Sequence, residues 1–356
     1  MIKIKVCVYA IAKNEEKFVS RWVNSMNEAD EIIVLDTGST DNTVKELEKY
    51  GVKVFQKIIK PWRFDEARNQ SLALVPDDVD LCVCTDLDEV FEKGWRKQME
   101  EAFTNDTTRL RYRYTWSFNP DGSEGVVFYI DKAHKKQGYS WKNPVHEVLV
   151  GKKEKIMFAN GVQLNHYADN NKPRTQYLPL LELAVKEDPE NDRNMHYLGR
   201  EYMFYKKYDL AIFTLKKHLT LKSATWKDER CASMRYIAKC YTALNNLTDA
   251  YKYYLYAICE APYLREPWID MAYFEYYREN YLGCAYFIEY ALNIKERPQT
   301  YITQANCWDA TPYDILSIAY YKMGDIEKAI LNVKKAIEIS NEQRLKDNLK
   351  LYEKTT

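Results

Sequence analysis

The C-terminal half of this 356-residue chain repeats itself. Leu198-Gly199, followed by Tyr202 and Ala211, recurs as Ile237-Ala238 with Tyr241 and Ala250. It recurs again as Met271-Ala272 with Tyr276 and Ala285, and as Ile318-Ala319 with Tyr321 and Ala329. Alanines 211, 250, 285 and 329 stand 39, 35 and 44 residues apart. A period of that size holds one two-helix unit, which cannot bury its apolar face alone and must stack on its neighbours. Small alanines let paired helices approach, and tyrosines fill the gaps between pairs. Residues 338–353 read as a terminal capping helix.

The first half is written differently. Apolar runs at residues 4–11, 31–35, 52–56 and 79–84 alternate with helical patterns at 15–26, 40–50 and 64–74. Strands alternating with helices of this length imply right-handed βαβ units and a mainly parallel sheet. Residues 109–118 and 125–130 then alternate as antiparallel strands do. The composition shift puts a domain border after residue 172, giving an α/β domain over 1–172 and an all-α repeat domain over 173–356.

Ligands of such a sheet bind beyond the carboxyl ends of its strands. The polar residues collect there: Lys13-Asn14-Glu15 after the first strand, Asp36 to Asp41 after the second, and Asp86-Leu87-Asp88 after the fourth. Two carboxylates one residue apart can hold a divalent cation and, through it, a diphosphate. Gly38 permits a tight turn, and Ser39, Thr40 and Asp41 either cap the next helix or line a site. Asp36 ends an apolar strand, where a carboxylate is costly without a partner.

Lysine plus arginine equals aspartate plus glutamate at 52 each, which leaves no global field to attract nucleic acid or an anionic membrane. The N-terminus has no long apolar core of a signal peptide, and no run approaches the ~18 apolar residues of a membrane span. Those features predict a soluble, cytoplasmic protein. Eight cysteines without a CxxC pair read as buried free thiols. The exposed tyrosines of the helices suggest a homodimer.

Four motifs in order carry a resemblance: Ala12-Lys13-Asn14-Glu15-Glu16, Val34 to Thr43, Phe64-Asp65-Glu66-Ala67-Arg68-Asn69, and Thr85-Asp86-Leu87-Asp88-Glu89. Over about the first 90 residues the chain resembles family 2 glycosyltransferases of the GT-A fold. The resemblance implies a UDP-sugar donor pocket at Ala12, Asn14, Asp36, Arg68 and Asp86. In it Asp36 meets the uracil edge, Arg68 lies near the same base, Asp86 contacts ribose or metal, and Asp88 binds Mg²⁺ or Mn²⁺. His166 fits the third metal ligand such enzymes often carry, or is a structural histidine.

The segment Trp141-Lys142-Asn143-Pro144-Val145-His146-Glu147 resembles members of that family that carry tetratricopeptide repeats, whose ~34-residue period the second half approaches. An inverting transfer needs a base for the acceptor, and Glu147, His146, Glu89 and Asp88 are the candidates. Trp141 and Trp62 are either platforms for a ring or core. Sublancin-type peptide S-glycosyltransferases look like this arrangement. That likeness implies a peptide or protein acceptor (Cys, Ser or Thr) gripped by the repeats; the alternative is extension of a cell-surface saccharide.

Overall fold

The computed structural model describes residues 4–119, 121–169 and 177–355. By its contacts the chain divides into two compact units, Met1–Ala184 and Val185–Thr356. The border expected after residue 172 lies outside the described residues.

The first unit is built on an eight-stranded sheet. Its strands are β1 (Val6–Ala12), β2 (Glu31–Asp36), β3 (Lys53–Gln56), β4 (Leu81–Cys84), β5 (Glu89–Phe91), β6 (Arg109–Thr115), β7 (Val127–His134) and β10 (Ile156–His166). The spatial order is β3-β2-β1-β4-β7-β6-β10-β5. β1 runs parallel to β2 and β4, and β2 parallel to β3, as the βαβ reading expects. Beyond β4 the sheet turns mixed. β7 is antiparallel to both β4 and β6, β10 is parallel to β6, and β5 is antiparallel to β10.

β1 is apolar on both faces because both are covered. Val6, Val8 and Ala10 pack with Trp22 and Met26 of α1 (Glu16–Met26). Cys7 and Tyr9 face Leu72 of α3 (Phe64–Ala73) and Trp141 of the β8 (Tyr139–Lys142) and β9 (Val148–Gly151) hairpin. The helix α2 (Thr43–Lys49) joins β2 to β3, and α4 (Trp95–Ala102) follows β5.

The ring of Trp141 is 3 % exposed, so it is core and not a platform for sugar or acceptor. Its Nε1 donates to Tyr9 Oη at 2.9 Å, and Tyr9 Oη lies 2.8 Å from His134 Nε2. His134 Nδ1 is 2.7 Å from the Lys135 carbonyl. That carbonyl can only accept, so His134 carries Nδ1–H and takes the Tyr9 proton at Nε2. Burial pushes the His134 pKa down to about 3.

The sign follows from proton linkage. The unfolded chain binds this proton below about pH 6.5 and the folded chain does not, so stability is flat above that pH and falls below it. The expected slope is about 1.4 kcal/mol per pH unit from this residue. Denaturant titrations between pH 7 and 5 should show it, and His134→Gln should flatten it; an unchanged slope in that variant would exclude the residue as its source.

In the second unit the repeats are helix pairs: α6 (Asp192–Phe204) with α7 (Tyr208–Thr220), α8 (Lys227–Ala243) with α9 (Leu247–Glu260), α10 (Arg265–Tyr277) with α11 (Tyr281–Asn293), and α12 (Thr311–Lys322) with α13 (Ile326–Ile339). The helix α5 (Tyr177–Glu187) precedes them. Ala211, Ala250, Ala285 and Ala329 are buried at the pair interfaces. Gly199 is required by close approach, since a Cβ there would meet the Leu215 side chain at 2.5 Å.

The turns inside the pairs share one construction. A residue at positive φ comes first: Lys206, Asn245, Glu279 and Gly324. In the last three pairs the next residue, Asn246, Asn280 or Asp325, caps the second helix by accepting from a backbone N–H three residues on. The capping helix α14 (Gln343–Glu353) starts five residues later than expected, because α13 runs through Ile339 and the chain turns at 340–342. No described helix is long and apolar enough to cross a membrane. All eight cysteines are free, and seven are buried, Cys259 being exposed.

Candidate active site

The parallel register of β1, β2 and β4 brings three strand ends to one edge. Ala12 stands opposite Asp36, and the Thr85 amide donates to the Tyr9 carbonyl. Just past these ends the chain turns tightly. Asp36 Oδ1 accepts from the Gly38 and Ser39 amides at 3.0 Å each, and its Oδ2 takes the Ser39 hydroxyl. Gly38 has φ +111°, a value an L side chain rarely adopts.

Asn14, itself at φ 56°, accepts from the Thr40 amide at 2.7 Å and donates its own amide to Ser39 Oγ. The Thr37 amide and hydroxyl both donate to the Ala12 carbonyl. Ala12, Asn14 and Asp36 thus form one hydrogen-bonded corner. One residue before the cap of α2, Asp41 accepts from the Thr43 amide and hydroxyl.

Arg68, 4 % exposed on α3, is the hub of the next group. Its Nη2 donates to Asp86 Oδ1 at 2.8 Å, its Nε to Glu147, and its Nη1 lies 3.3 Å from Cys84 Sγ. Its guanidinium sits 5.2 Å from the centre of the Trp141 ring. Each of its three nitrogens has a protein partner, so Arg68 holds two carboxylates in place, and at 4 % exposure it turns little surface to the nucleobase that the resemblance implies.

Lys132 of β7 donates to Asp86 Oδ2 at 3.4 Å and Glu89 Oε1 at 3.1 Å. Burial pushes the Asp86 carboxyl up, but Arg68 and then Lys132 outweigh it and hold the group well below the usual carboxylate range. Asp86 therefore stays ionised between two cations. Glu89, 1 % exposed, also accepts from Tyr114 Oη at 2.8 Å and from the Asp86 amide at 2.9 Å. With both oxygens occupied, Glu89 fixes the acidic turn and is not placed as a general base.

Asp88 is presented differently. β5 pairs antiparallel with β10 in the register His166↔Glu89, and the Tyr167 amide donates to the Asp88 carbonyl at 2.8 Å. His166 Nε2 comes to 3.4 Å from Asp88 Oδ2. The imidazole Nδ1 is 2.9 Å from the Trp116 carbonyl, which makes Nδ1 the donor and leaves Nε2 with its lone pair in the neutral ring. Burial lowers the His166 pKa, and the Asp88 carboxylate beside the ring reverses this, so the net shift is upward. Trp116, half exposed, stacks on His166 with centroids 4.4 Å apart.

His146 and Glu147 follow β8 on a loop that also carries Asn143. Asn143 has φ 80° and His146 φ 51°; with Asn14 they are the non-glycine residues of this unit described at positive φ. Strained backbone of this kind concentrates at functional sites. The His146 ring lies 5.9 Å from Tyr177, itself 6.4 Å from Phe64, and Phe64 packs on the Trp62 ring at 5.1 Å. Lys132 and Trp116 escaped the sequence reading, which ended the expected strand at residue 130, two positions short of the lysine. A groove of about 500 Å³ lined by Ile4, Asp77, Val79, Phe103, Lys135 and Gln137 belongs to the opposite, amino-terminal strand ends.

Residues 7–145 match the model of the family described as glycosyl transferase family 2. An uncharacterized glycosyltransferase of Rickettsia conorii is 37% identical over 103 residues, which is 28% of this chain and 35% of that protein. A lipopolysaccharide core biosynthesis glycosyltransferase of Rhizobium meliloti is 28% identical over 102 residues, 28% of this chain and 37% of its own. The chain thus spans about a third of the length of these curated relatives. Among solved structures, a tetratricopeptide-repeat protein of Thermus thermophilus has a TM-score of 0.36 at 16% identity, covering 50% of this chain and 88% of its own. Asp36, Arg68, Asp86 and Asp88 all lie within the stretch that matches the glycosyl transferase family 2 model.

Proposed function

We propose that this protein is a metal-dependent inverting glycosyltransferase that moves a sugar from a UDP-sugar to a Cys, Ser or Thr side chain of a peptide or protein in the cytoplasm. The observation that carries the reading is the Asp88–His166 pair, held beside an Asp86 that two cations keep ionised. The 3.4 Å spacing and the bare Nε2 suit two ligands of one cation, and a carboxylate with an imidazole suits Mn²⁺ better than Mg²⁺. Such an ion would offset the charge that develops on the departing UDP.

The protein residues divide the remaining work. The corner of Ala12, Asn14 and Asp36 offers the uridine its polar edge once Ser39 rotates away from Asp36. Arg68 and Lys132 keep Asp86 and Glu147 in position. Trp116 presents an exposed ring beside the metal pair, where a sugar face can lie. The acceptor attacks the anomeric carbon as the bond to UDP breaks. His146, on its strained turn, takes the proton from a Ser or Thr hydroxyl; a Cys thiol, partly ionised at neutral pH, has less need of it. The repeats grip the acceptor away from the reacting atom, adding local concentration, or pair two copies of the chain.

Mass spectrometry of candidate peptides incubated with a panel of UDP-sugars and Mn²⁺ tests this. His146→Ala should lower kcat for hydroxyl acceptors by about 10²–10³-fold and remove the acidic limb of the pH profile. A profile unchanged by His146→Ala moves the base to Glu147. The name of the Rhizobium meliloti relative favours a second reading, extension of a saccharide; transfer to sugar acceptors and never to peptides would establish it in place of the first.

A further inference from the structure

The helical unit gathers a second set of metal-ligating side chains, far in sequence from Asp88, two of them buried and Asp192 half-buried. Asp192 opens α6, His218 lies in the last turn of α7, and Glu229 in the first turn of α8. One donor atom from each lies within 4.8 Å of the other two. His218 is fully buried and Glu229 is 3 % exposed.

Hydrogen bonding within the group does not balance. Ser233 Oγ stands 2.7 Å from His196 Nδ1 and 2.9 Å from His218 Nδ1. One hydroxyl has one proton, so it can donate to only one ring, and the other ring must donate its own Nδ1–H. That second ring is left with a lone pair on Nε2. Both Nε2 atoms are buried without a hydrogen-bond partner among the described residues. A buried acceptor left bare is rare in a native fold.

His218 Nε2 faces Glu229 Oε1 at 3.4 Å, with no hydrogen bond to any described residue. Two donors bound to one tetrahedral zinc, each about 2.0–2.1 Å from it, stand about 3.4 Å apart. The Tyr301 hydroxyl donates to the other oxygen, Oε2, which orients Glu229 as outer partners orient metal ligands.

We propose that Asp192, His218 and Glu229 bind a structural Zn²⁺ that fastens α6, α7 and α8 together at the start of the repeats. In the bound state Ser233 donates to His196 and accepts from His218 Nδ1–H, which leaves His218 Nε2 for the ion, and Tyr301 ties the loop before α12 to the same centre. Nitrogen among oxygen donors in a buried site selects zinc over magnesium.

The test uses the full chain carrying Asp88→Ala, which removes a ligand of the proposed donor-site metal and makes the outcome independent of that proposal. After stripping with a chelator, one equivalent of Co²⁺ should give the visible absorption of a tetrahedral N/O site, which Zn²⁺ then bleaches. About one Zn²⁺ per chain should survive gel filtration and raise the Tm. Glu229→Gln or His218→Gln should weaken zinc binding by more than about a hundredfold, and Tyr301→Phe by about tenfold. A colourless Co²⁺ mixture overturns the proposal, as does equal zinc retention in a Glu229→Gln chain with an intact helical signal. Should that variant fail to fold, the Co²⁺ spectrum of the parent chain decides.

Discussion

Asp88→Ala is expected to lower kcat for turnover of a UDP-sugar with Mn²⁺ by about 10³-fold, the rate equivalent of about 4 kcal/mol of lost charge stabilisation. The reason is local. Asp88 meets His166 and carries no ion pair to Arg68 or Lys132 in the structure, so its removal leaves the Arg68–Asp86–Lys132 array standing. The far-ultraviolet helical signal should not change. Asp86→Asn tests the other half, because it strips a partner from two buried cations and should cost stability as well as rate. Steady-state rates at saturating Mn²⁺ decide the matter: an Asp88→Ala enzyme that keeps more than about a tenth of its kcat would remove the metal pair from the mechanism.

Asp270→Ala should destabilise the helical unit by about 3–5 kcal/mol. Arg235 is wholly buried in α8 and donates its Nε to Asp270 Oδ2 at 2.7 Å, and Lys239 adds a contact to the same oxygen at 2.9 Å. Burial pushes the Asp270 carboxyl up, but Arg235 and then Lys239 hold it below its ordinary range. Arg235 Nη1 and Nη2 already lack hydrogen-bond partners among the described residues, so without Asp270 the guanidinium charge is buried with little to offset it. Guanidinium chloride unfolding gives the number. The double replacement Arg235→Met with Asp270→Leu should recover most of the loss, since an apolar pair of similar volume avoids desolvating two charges. A loss under about 1 kcal/mol for Asp270→Ala would mean that water reaches Arg235.

The elements of both units were legible in the sequence where pattern is local. Val6 to Ala12 and Leu81 to Cys84 are apolar because both faces of the sheet are covered there, and the recurring alanines mark the helix pairs. The strand ends at Asp36, Asp86 and Asp88 follow from those strands. What the sequence did not disclose are pairings between distant segments. Nothing in residues 89–91 announces a strand antiparallel to β10, yet that pairing sets Asp88 against His166. Lys132 looks like one polar residue in an alternating strand until Asp86 and Glu89 are seen to share it. Arg68 was expected to face the nucleotide and instead faces inward, because two carboxylates already claim its nitrogens. Trp141 was drawn into the core by the Tyr9 hydroxyl and its partner His134.

The β5–β10 pairing also has a consequence for the order of events on the ribosome. Asp88 leaves the exit tunnel 78 residues ahead of His166, and the strand that carries the imidazole is the last of the sheet to be made. Until β10 arrives, β6 lacks its outer neighbour and β5 has nothing to pair with. A nascent chain that has reached only the end of β9 therefore holds Asp86 and Asp88 on an unfinished sheet, and Asp88 meets His166 only once β10 has been made.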